Sequence, residues 1–301
     1  MRLLTRSDFD GLACGALLEY LGIIDEYKFV HPKDIQDGLV EAAPNDVLAN
    51  IPYIKGCKLW FDHHYSETER LGKDVYFEGV SRLAPSCARV IYDYYDGEKK
   101  LSQFNEMLKY VDKVDSGDLT AEEILNPEGW VLLGFIMDPR SGLGRFRNFT
   151  ISNYELMMVL AKACINNSIK EILAMNDVKE RIEVYYEQAD AFKTMIKKYA
   201  KAEGNAIVVD LRGVETINAG NRFLIYTLFP EQNISVWIVD GKNKQNAAIT
   251  VGYSIVNKSA TINVGSLLLG YGGGGHIKVG TCQADYADAD RVIREIIDVV
   301  K

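Results

Sequence analysis

The amino-acid sequence predicts an α/β protein built from a parallel-sheet domain, a helical connector and a smaller α/β domain. Short apolar strands alternate with helical stretches in the first half of the chain, which is typical of a parallel sheet covered by helices. A new set of apolar strands begins at Ala206, after a long and charged helical stretch. The 301 residues are enough for two sizeable cores. We therefore expect domains at residues 1–150 and 205–301, joined by a connector at residues 151–204.

Four strands and three helices are expected in the first domain. Each strand is a short apolar run before a polar loop, and each helix has apolar residues three or four positions apart. The expected strands are residues 1–5, 26–31, 47–51 and 58–61, and the expected helices begin near Gly11, at Pro85-Ser86 and near Phe104. Proline suits the first turn of a helix. Residues 126–153 are predicted to be rich in loops.

The second half of the chain contains a charged helical stretch, followed by a new set of strands and an apolar helix. Residues 151–202 carry apolar side chains at helical spacing among many charges, which predicts helices. Strands are then expected at residues 206–211, 234–239 and 247–253, followed by an apolar helix at residues 264–269. The domain boundary is expected near Gly204.

Composition restricts the partners of the protein. The formal net charge of −8 argues against binding to duplex nucleic acid, because that affinity depends on cations that neutralise phosphates. No stretch approaches the roughly 18 apolar residues of a membrane span, and Asp8 and Asp10 precede any apolar signal core. The five scattered cysteines include no Cys-x-x-Cys pair, so disulfides and a zinc knuckle are not expected. We expect a cytoplasmic protein that binds neither duplex nucleic acid nor a membrane.

The end of the fourth expected strand carries the most distinctive sequence, Asp62-His63-His64. The chain has four histidines, and two of them are adjacent here. Functional groups of α/β folds gather at the carboxyl ends of strands, so we expect a site here, with a surface turn as the alternative. Asp8 and Asp10 follow the first strand, and carboxylates in this spacing can hold a divalent metal. An aspartate near a helix start can equally be a cap.

Two further segments are expected to bind an anion. Three arginines lie within residues 140–147, among them Arg140 and Arg145, and guanidinium groups match phosphate oxygens. Pairing with surface acids is the alternative. Four consecutive glycines at residues 272–275 precede His276, and a loop without side chains lets a ligand approach backbone N–H donors. A flexible hairpin is the alternative for this loop.

Four motifs occur along the chain in the order Asp8-x-Asp10, Asp62-His63-His64, Asp112/Asp115 and Gly272 to His276. Together they resemble the DHH superfamily of phosphoesterases with a C-terminal DHHA1 domain, and the resemblance covers nearly the whole chain. It implies a parallel-sheet DHH domain at residues 1–150 and a DHHA1 domain with a mixed sheet at residues 205–301. It also implies a dinuclear Mn²⁺ or Mg²⁺ centre and a substrate-holding domain that closes over it.

The members of this family act on several phosphorylated substrates. They include nanoRNases, phosphatases of 3′-phosphoadenosine 5′-phosphate, cyclic-dinucleotide phosphodiesterases, RecJ-type exonucleases and exopolyphosphatases. This chain is similar to the exopolyphosphatase-related and nanoRNase-like members. Homodimers are common in the family, and the sequence leaves a homodimer open for this chain.

The resemblance implies metal-binding roles for residues at the strand and helix ends. Asp10, His63 and Asp115 resemble the ligands of one metal, and Asp112 takes the place of Asp115 if the helix is displaced by one turn. Asp8 resembles a ligand of the second metal.

The resemblance also implies residues that act on the substrate. His64 resembles the second histidine of the signature, which contacts the scissile phosphate and protonates the leaving oxygen, and Asp62 orients the histidine pair. In the glycine loop, the resemblance implies that the distal end of the substrate is held by Gly273, Gly274, Gly275 and His276.

Two positions depart from the family pattern. Arg6 stands where the family usually has a histidine, and Asn50 stands nearest to where it has a bridging aspartate. Arginine cannot ligate a metal, and the asparagine oxygen is a weaker donor than a carboxylate. Both changes fall on the metal site of Asp8, so we expect one or two metals per chain. Arg6 is expected to bind the substrate phosphate instead.

These observations lead to two hypotheses of function. The first is a metal-dependent phosphoesterase that hydrolyses phosphodiester or phosphoanhydride bonds of a short single-stranded oligonucleotide, a nucleotide or polyphosphate in a cleft between the two domains. The second is a catalytically degenerate protein that binds nucleotide or phosphate for regulation. The retained acids and histidines favour the enzyme, because a group of buried polar side chains is costly to keep without use. The departures at Arg6 and Asn50 favour the regulatory protein.

Overall fold

Five parallel strands form the sheet of the amino-terminal part of the molecule. The computed structural model describes residues 1–71 and 75–301. The strands are β1 (Arg2–Thr5), β2 (Glu26–Phe29), β3 (Asp46–Ala49), β4 (Leu59–Asp62) and β5 (Gly79–Ser81). Their order is β2-β1-β3-β4-β5, and each neighbouring pair is parallel. The predicted parallel sheet is therefore confirmed, with β5 as an additional edge strand.

Helices follow or separate these strands along the chain as far as residue 199. They are α1 (Phe9–Tyr20), α2 (Pro32–Gln36), α3 (Tyr65–Leu71), α4 (Cys87–Tyr94), α5 (Gly97–Lys100), α6 (Asn105–Ser116), α7 (Ala121–Leu125), α8 (Gly129–Met137), α9 (Asn153–Asn166), α10 (Ile169–Ala174) and α11 (Asn176–Tyr199). Several of these helices begin with an N-cap, a residue whose side chain accepts a backbone N–H group of the first turn. Ser86 caps α4, and Ser152 begins α9 with a capping box.

The core of the parallel sheet is apolar on both faces. Leu3 and Leu4 of β1 alternate between the faces, and both are fully buried. Helix α1 is buried along residues 9–18, which leaves little amphipathic character in its sequence. Gly15 allows this close packing, because an added Cβ atom would lie 2.4 Å from the ring of Tyr27. Burial on both faces explains why the strands appear in the sequence as continuous apolar runs.

Residues 129–137 form helix α8, so the prediction of a loop-rich segment over residues 126–153 is wrong for this part. Every residue from Trp130 to Met137 is buried. A helix that is buried on all sides has no polar face, so its sequence lacks the periodicity from which helices are predicted. The ring of Trp130 stacks on Phe9 with the ring centroids 6.1 Å apart.

A six-stranded sheet forms the carboxy-terminal part of the molecule. Its strands are β6 (Ala200–Glu203), β7 (Ala206–Asp210), β8 (Ile234–Asp240), β9 (Asn246–Tyr253), β10 (Gly274–Gly275) and β11 (Val279–Asp285), in the order β10-β11-β9-β8-β7-β6. The β7–β8 pair is parallel and the other pairs are antiparallel, so the expected mixed sheet is confirmed. Its helices are α12 (Leu224–Leu228), α13 (Val264–Leu269) and α14 (Ala289–Val300). Six apolar residues of α14 are buried: Ala289, Val292, Ile293, Ile296, Ile297 and Val300.

The helical stretch predicted to reach residue 202 ends at Tyr199, because residues 200–203 form β6. Strand β6 pairs with β7 in an antiparallel hairpin. Gly204 in the turn has φ +60, a conformation that glycine adopts without steric cost. The ladder to β7 supplies hydrogen bonds that a longer helix would otherwise have formed. Whether residues 200–203 continue the helix or form a strand depends on the presence of β7 as a partner. The sequence of these four residues alone does not indicate it.

The backbone divides into two compact units. The first consists of residues 1–64, 71–119 and 126–187, and the second of residues 65–70, 120–125 and 188–301. The domain limits expected from the sequence, at residues 150 and 204, stay predictions. Within residues 1–71 and 75–301, no helix has the length and apolar character needed to cross a membrane.

Candidate active site

The ends of three adjacent strands bring the predicted site residues together in the first unit. Strands β1, β3 and β4 are neighbours in the sheet and run in the same direction. Asp8 follows β1, Asn50 follows β3, and His63 follows β4. Because parallel strands end at the same edge of a sheet, residues that are far apart in the sequence meet there.

Asp10 is held by the amino terminus of α4. Its two carboxylate oxygens accept N–H groups from Cys87 at 2.9 Å and Ala88 at 2.8 Å. Only 2% of the Asp10 surface is exposed. Burial and the neighbouring carboxylate of Asp115 raise the pKa of Asp10 to about 7, although the charge of His63 opposes the shift. The helix terminus thus fixes a carboxylate that is costly to ionise without a cation beside it.

His63 faces Asp10 and Asp115 through its Nε2 atom. The distances from Nε2 are 3.4 Å to Asp10 Oδ2 and 3.3 Å to Asp115 Oδ2. Its Nδ1 atom lies 3.2 Å from the carbonyl oxygen of Ala84, which can only accept, so Nδ1 carries a proton. Burial alone would lower the pKa of His63, but the charges of Asp115 and Asp10 outweigh it and raise the pKa.

These three side chains could hold a divalent metal ion. One ligand atom each from Asp10, His63 and Asp115 lies within 4.8 Å of the others. Two carboxylates and an imidazole are suitable donors for Mn²⁺ and tolerate several other divalent ions. The Ala84 carbonyl orients the imidazole so that Nε2 points to the shared space, which is the usual arrangement around a metal-binding histidine. The donor set and its geometry therefore fit a metal.

Asp112 was expected to replace Asp115 if the helix were displaced by one turn. In the structure it contacts Ser86 and Arg89 instead of the metal-binding group. Its carboxylate accepts the hydroxyl of Ser86 at 2.6 Å and two N–H groups of Arg89 at 2.9 and 2.7 Å. Ser86 in turn accepts the N–H group of Arg89 at the start of α4. Asp112 therefore braces the helix terminus that holds Asp10.

Arg6, Asp8 and Asn50 form a second group at the strand ends. The Nε atom of Arg6 lies 3.1 Å from Asp8 Oδ2. The other oxygen, Oδ1, accepts Asn50 Nδ2 at 3.1 Å and the N–H group of Gly11 at 2.9 Å. Both oxygens of Asp8 thus have protein donors. Asp8 is also the N-cap of α1, which is the alternative role that the sequence left open for an aspartate near a helix start.

Asn50 has an unusual backbone conformation and a buried side chain. Its φ is +58, in the left-handed region, which asparagine adopts more readily than most residues. Its N–H group lies 3.1 Å from the carbonyl oxygen of Phe61 and 3.2 Å from Cys87 Sγ. Within the described residues, the buried Oδ1 atom of Asn50 has no hydrogen-bond partner. This oxygen is available to a cation or to water.

Asp62 and His64 form a hydrogen-bonded pair beside the metal-binding group. The Nδ1 atom of His64 lies 2.8 Å from Asp62 Oδ1, and the other oxygen of Asp62 accepts the His64 N–H group at 3.3 Å. Asp62 is fully buried, whereas 15% of the His64 side chain is exposed. A carboxylate on Nδ1 fixes the ring orientation and leaves Nε2 for proton transfer.

Arg140 lies close to the acidic residues of the site. It is oriented by Asp138, whose Oδ1 atom accepts its Nε–H group at 2.9 Å. Burial opposes its charge, but the carboxylates of Asp138, Asp8 and Asp115 outweigh burial and raise the pKa of Arg140. About a third of the side chain, 35%, remains exposed. Arg145 packs over Gly142, where an added Cβ atom would lie 2.0 Å from Nη2, and burial lowers its pKa.

The glycine loop belongs to the second unit. Four of its N–H groups have protein acceptors: those of Gly272, Gly273 and His276 donate to the carbonyl oxygens of Leu269, Leu268 and Val279, and that of Gly275 donates to Ser66 Oγ. These four donors are engaged within the protein, in contrast to the expectation that the loop offers free N–H groups. Gly273 and Gly275 are also required sterically, because added Cβ atoms would lie 2.2 Å from carbonyl oxygens of β11.

The sequence interpretation missed the backbone groups that hold the site. These are the N–H groups of Cys87 and Ala88 and the carbonyl oxygen of Ala84. The helix start predicted at Pro85-Ser86 was the available signal, since the first N–H groups of a helix need partners outside it. The local sequence did not predict which carboxylate would accept these N–H groups, because Asp10 is 77 residues from Cys87 in the sequence.

Comparison with known proteins finds similar chains among the solved structures. No family model and no curated protein matches the sequence. Among solved structures, the chain is similar to PggH, a pGpG-specific phosphodiesterase from Vibrio cholerae. The two are 46% identical, with a TM-score of 0.75, over 99% of this chain and 98% of PggH.

Two further solved structures share the fold at low identity. The DHH domain of a member of a family of ribosomal proteins matches with 12% identity and a TM-score of 0.57, over 100% of this chain and 86% of that one. RecJ from Thermus thermophilus, solved in complex with Mn²⁺, matches with 13% identity and a TM-score of 0.53. That match covers 99% of this chain and 51% of RecJ.

The similarity to PggH decides the family, because it combines high identity with nearly complete coverage of both chains. The two low-identity structures agree with it in fold. The strand-end placement of the Asp62-His63-His64 signature fits the same assignment. The chain belongs to the DHH superfamily of metal-dependent phosphoesterases.

Proposed function

We propose that this protein hydrolyses the internal phosphodiester bond of pGpG or of a closely similar short dinucleotide. The observation that carries the proposal is the Asp10, His63 and Asp115 group, with Asp62 and His64 directly beside it. The choice of substrate is supported by the 46% identity to PggH, which is a pGpG-specific phosphodiesterase. Addition of water to the internal bond of pGpG yields two molecules of GMP.

The geometry favours one tightly bound metal per chain. Asp10, His63 and Asp115 share one space, whereas Asp8 already has donors on both carboxylate oxygens. Arg6 brings a fixed positive charge to Asp8, where a second cation would otherwise be expected. Mn²⁺ or Mg²⁺ fits the donor set. When bound, the metal supplies positive charge for the phosphate and lowers the pKa of a coordinated water.

Protein side chains would complete the chemistry. Nε2 of His64 would donate a proton to the leaving oxygen, while Asp62 holds the ring in place through Nδ1. Arg6 and Arg140 would neutralise the charge that develops on the phosphate oxygens, and Asp138 holds Arg140 in place. Arg145 is proposed to contact the substrate beyond the scissile phosphate.

The second unit is proposed to hold the distal part of the substrate through residues 273–276. The internal hydrogen bonds of this loop fix its shape, and the missing side chains leave its backbone accessible. The net charge of −8 supports a short, single-stranded substrate over a long polyanion or a duplex. A cytoplasmic location and a homodimer stay predictions.

A regulatory protein that binds a nucleotide without hydrolysis is the second candidate. The observation in its favour is the engagement of Asp8 by Arg6, Asn50 and Gly11, which removes one carboxylate from metal binding. The exposed edge of His64 and its buried partner Asp62 argue for catalysis, because a binding site alone has no need of an oriented proton donor.

The decisive experiment measures metal content and turnover on the same preparation. Protein loaded with Mn²⁺ is analysed for metal and incubated with pGpG, a longer oligonucleotide and polyphosphate. We expect about one metal per chain and rapid formation of GMP from pGpG, with little product from the other two. His64→Ala should bind metal normally and lose turnover. Tight binding of pGpG without product in the metal-loaded protein would favour the regulatory function.

A further inference from the structure

Ser66 connects the residues that follow His64 to the glycine loop. It stands two positions after His64 and belongs by its contacts to the second unit, together with residues 65–70. Its hydroxyl oxygen accepts the N–H group of Gly275 at 2.9 Å, and only 5% of its surface is exposed. The two residues are 209 positions apart in the sequence. This hydrogen bond is therefore a long-range tertiary contact at the start of α3.

A second contact supports the first. The hydroxyl of Ser266 donates to Glu69 Oε2 at 2.8 Å, and Ser266 lies in α13, the helix that leads into the glycine loop. Helix α13 also touches the loop directly, because a Cβ atom on Gly265 would lie 2.9 Å from the carbonyl oxygens of Gly275 and His276. Helix α3 therefore meets both the loop and the helix that supports it.

The glycines opposite Ser66 are needed for this close approach. A Cβ atom on Gly274 would lie 2.7 Å from Ser66 Oγ, which is too close for an unbonded carbon. Gly275 has φ +149, which residues with a side chain rarely adopt. Part of the glycine run thus serves the contact with Ser66, and the loop conformation is built around this hydroxyl.

We propose that Ser66 is a positioning residue, which ties the conformation of the glycine loop to the position of His64. The inference rests on the function proposed above. A substrate held by the loop would fix Gly275, the hydrogen bond would fix Ser66, and the two intervening peptide bonds would restrict the His64 backbone. His64 is also bound to Asp62 through its own N–H group, so its backbone position and its ring orientation are linked.

The test compares Ser66→Ala with a matched control. Ser254→Ala removes another buried hydroxyl of the second unit that accepts backbone N–H groups, those of Val256 at 3.2 Å and Asn257 at 3.0 Å. We expect Ser66→Ala to lower kcat for pGpG about tenfold and to raise KM, the scale of one lost hydrogen bond. Mn²⁺ affinity measured by calorimetry should not change. Ser254→Ala should leave both kinetic constants unchanged, and Ser66→Thr, which keeps the hydroxyl, should retain most of the activity.

A double-mutant cycle separates positioning from a merely structural role. If Ser66 acts through His64, the kcat effect of Ser66→Ala should disappear in a His64→Ala background, measured in single turnover. Additive effects would overturn the inference, as would a Ser66→Ala kcat within twofold of the unmodified protein. Absence of turnover in the unmodified protein would instead contradict the proposed function. Should Ser66→Ala fail to fold, Ser66→Cys replaces it, because the thiol has the same branching as the hydroxyl side chain and accepts hydrogen bonds only weakly.

Discussion

The Nε atom of Arg6 lies 3.1 Å from Asp8 Oδ2, so a fixed cation sits on the carboxylate that the family resemblance assigns to a second metal. Asn50 donates to the other oxygen of the same carboxylate at 3.1 Å. Both partners supply N–H groups in this arrangement, and neither nitrogen is a metal ligand. Arg6 and Asn50, the two residues that depart from the family pattern, thus both contact Asp8.

Restoring the two ligands should change the metal stoichiometry. We expect the double substitution Arg6→His/Asn50→Asp to raise bound Mn²⁺ from about one to about two per chain, because it frees Asp8 and adds two donors. Elemental analysis after dialysis measures the ratio. Arg2→His is the control, since Arg2 pairs with Asp46 at the opposite end of the same strands. A ratio unchanged by the double substitution would contradict this account of Asp8.

Asp115 and Asp112 should differ sharply in their effect on metal binding. Asp115→Asn removes a proposed ligand, and we expect it to weaken Mn²⁺ binding about 100-fold or more. Asp112→Asn removes the brace on Ser86 and Arg89, and should lower the free energy of unfolding by about 1 to 2 kcal/mol. Its effect on Mn²⁺ affinity should be much smaller. Calorimetric titration and thermal unfolding measure the two quantities, and the reverse ranking would assign the ligand to Asp112.

Metal affinity should rise with pH through neutrality. Burial raises the pKa of Asp10 to about 7, and the facing carboxylates raise that of His63. Protons therefore compete with the metal below these pKa values, and the competition ends above them. We expect Mn²⁺ binding to weaken about tenfold per bound proton for each unit of pH below 7. Titrations at pH 6 and pH 8, in buffers with different ionisation heats, count the released protons. Equal affinities at the two pH values would contradict the prediction.

Substitution of Asp62 and of His64 should affect kcat more than KM. Loss of a general acid lowers rates by about 10² to 10⁴, so His64→Ala should fall in this range. Asp62→Asn should have a smaller effect, because the amide keeps the side-chain volume and an oxygen that can accept from His64 Nδ1, although it is a weaker acceptor than a carboxylate. Steady-state kinetics with pGpG measure both constants. A His64→Ala variant with normal kcat would exclude His64 as the proton donor.

Arg140 should contribute to substrate binding, and Arg147 provides a matched control. The Arg140 side chain is held by Asp138 and lies near the carboxylates of Asp8 and Asp115, whereas Arg147 is exposed on the same segment. We expect Arg140→Ala to raise KM for pGpG by about 10-fold to 100-fold, the scale of a charge-assisted contact with phosphate. Arg147→Ala should leave KM within about twofold. Equal effects of the two variants would indicate a general effect of charge.

Much of the fold was predictable because its signals are local. Apolar runs marked β1, β3 and β4, and Pro85-Ser86 marked the start of α4. Helix α8 was not predictable in this way, because burial on all sides removes its periodicity. Strand β6 was missed because its hydrogen bonds come from β7, which lies beyond the turn.

The sequence by itself determined which residue types stand at the strand ends and in which order. This order, from Asp8-x-Asp10 through Asp62-His63-His64 to the glycine run before His276, was sufficient to recognise the family. Only the tertiary structure decided how they combine. It placed Asp115 rather than Asp112 beside His63, because the direction of each side chain depends on how α6 packs. It also joined Ser66 to Gly275 across 209 residues. Contacts over such distances arise from the packing of whole elements, for which no single stretch of sequence carries a signal.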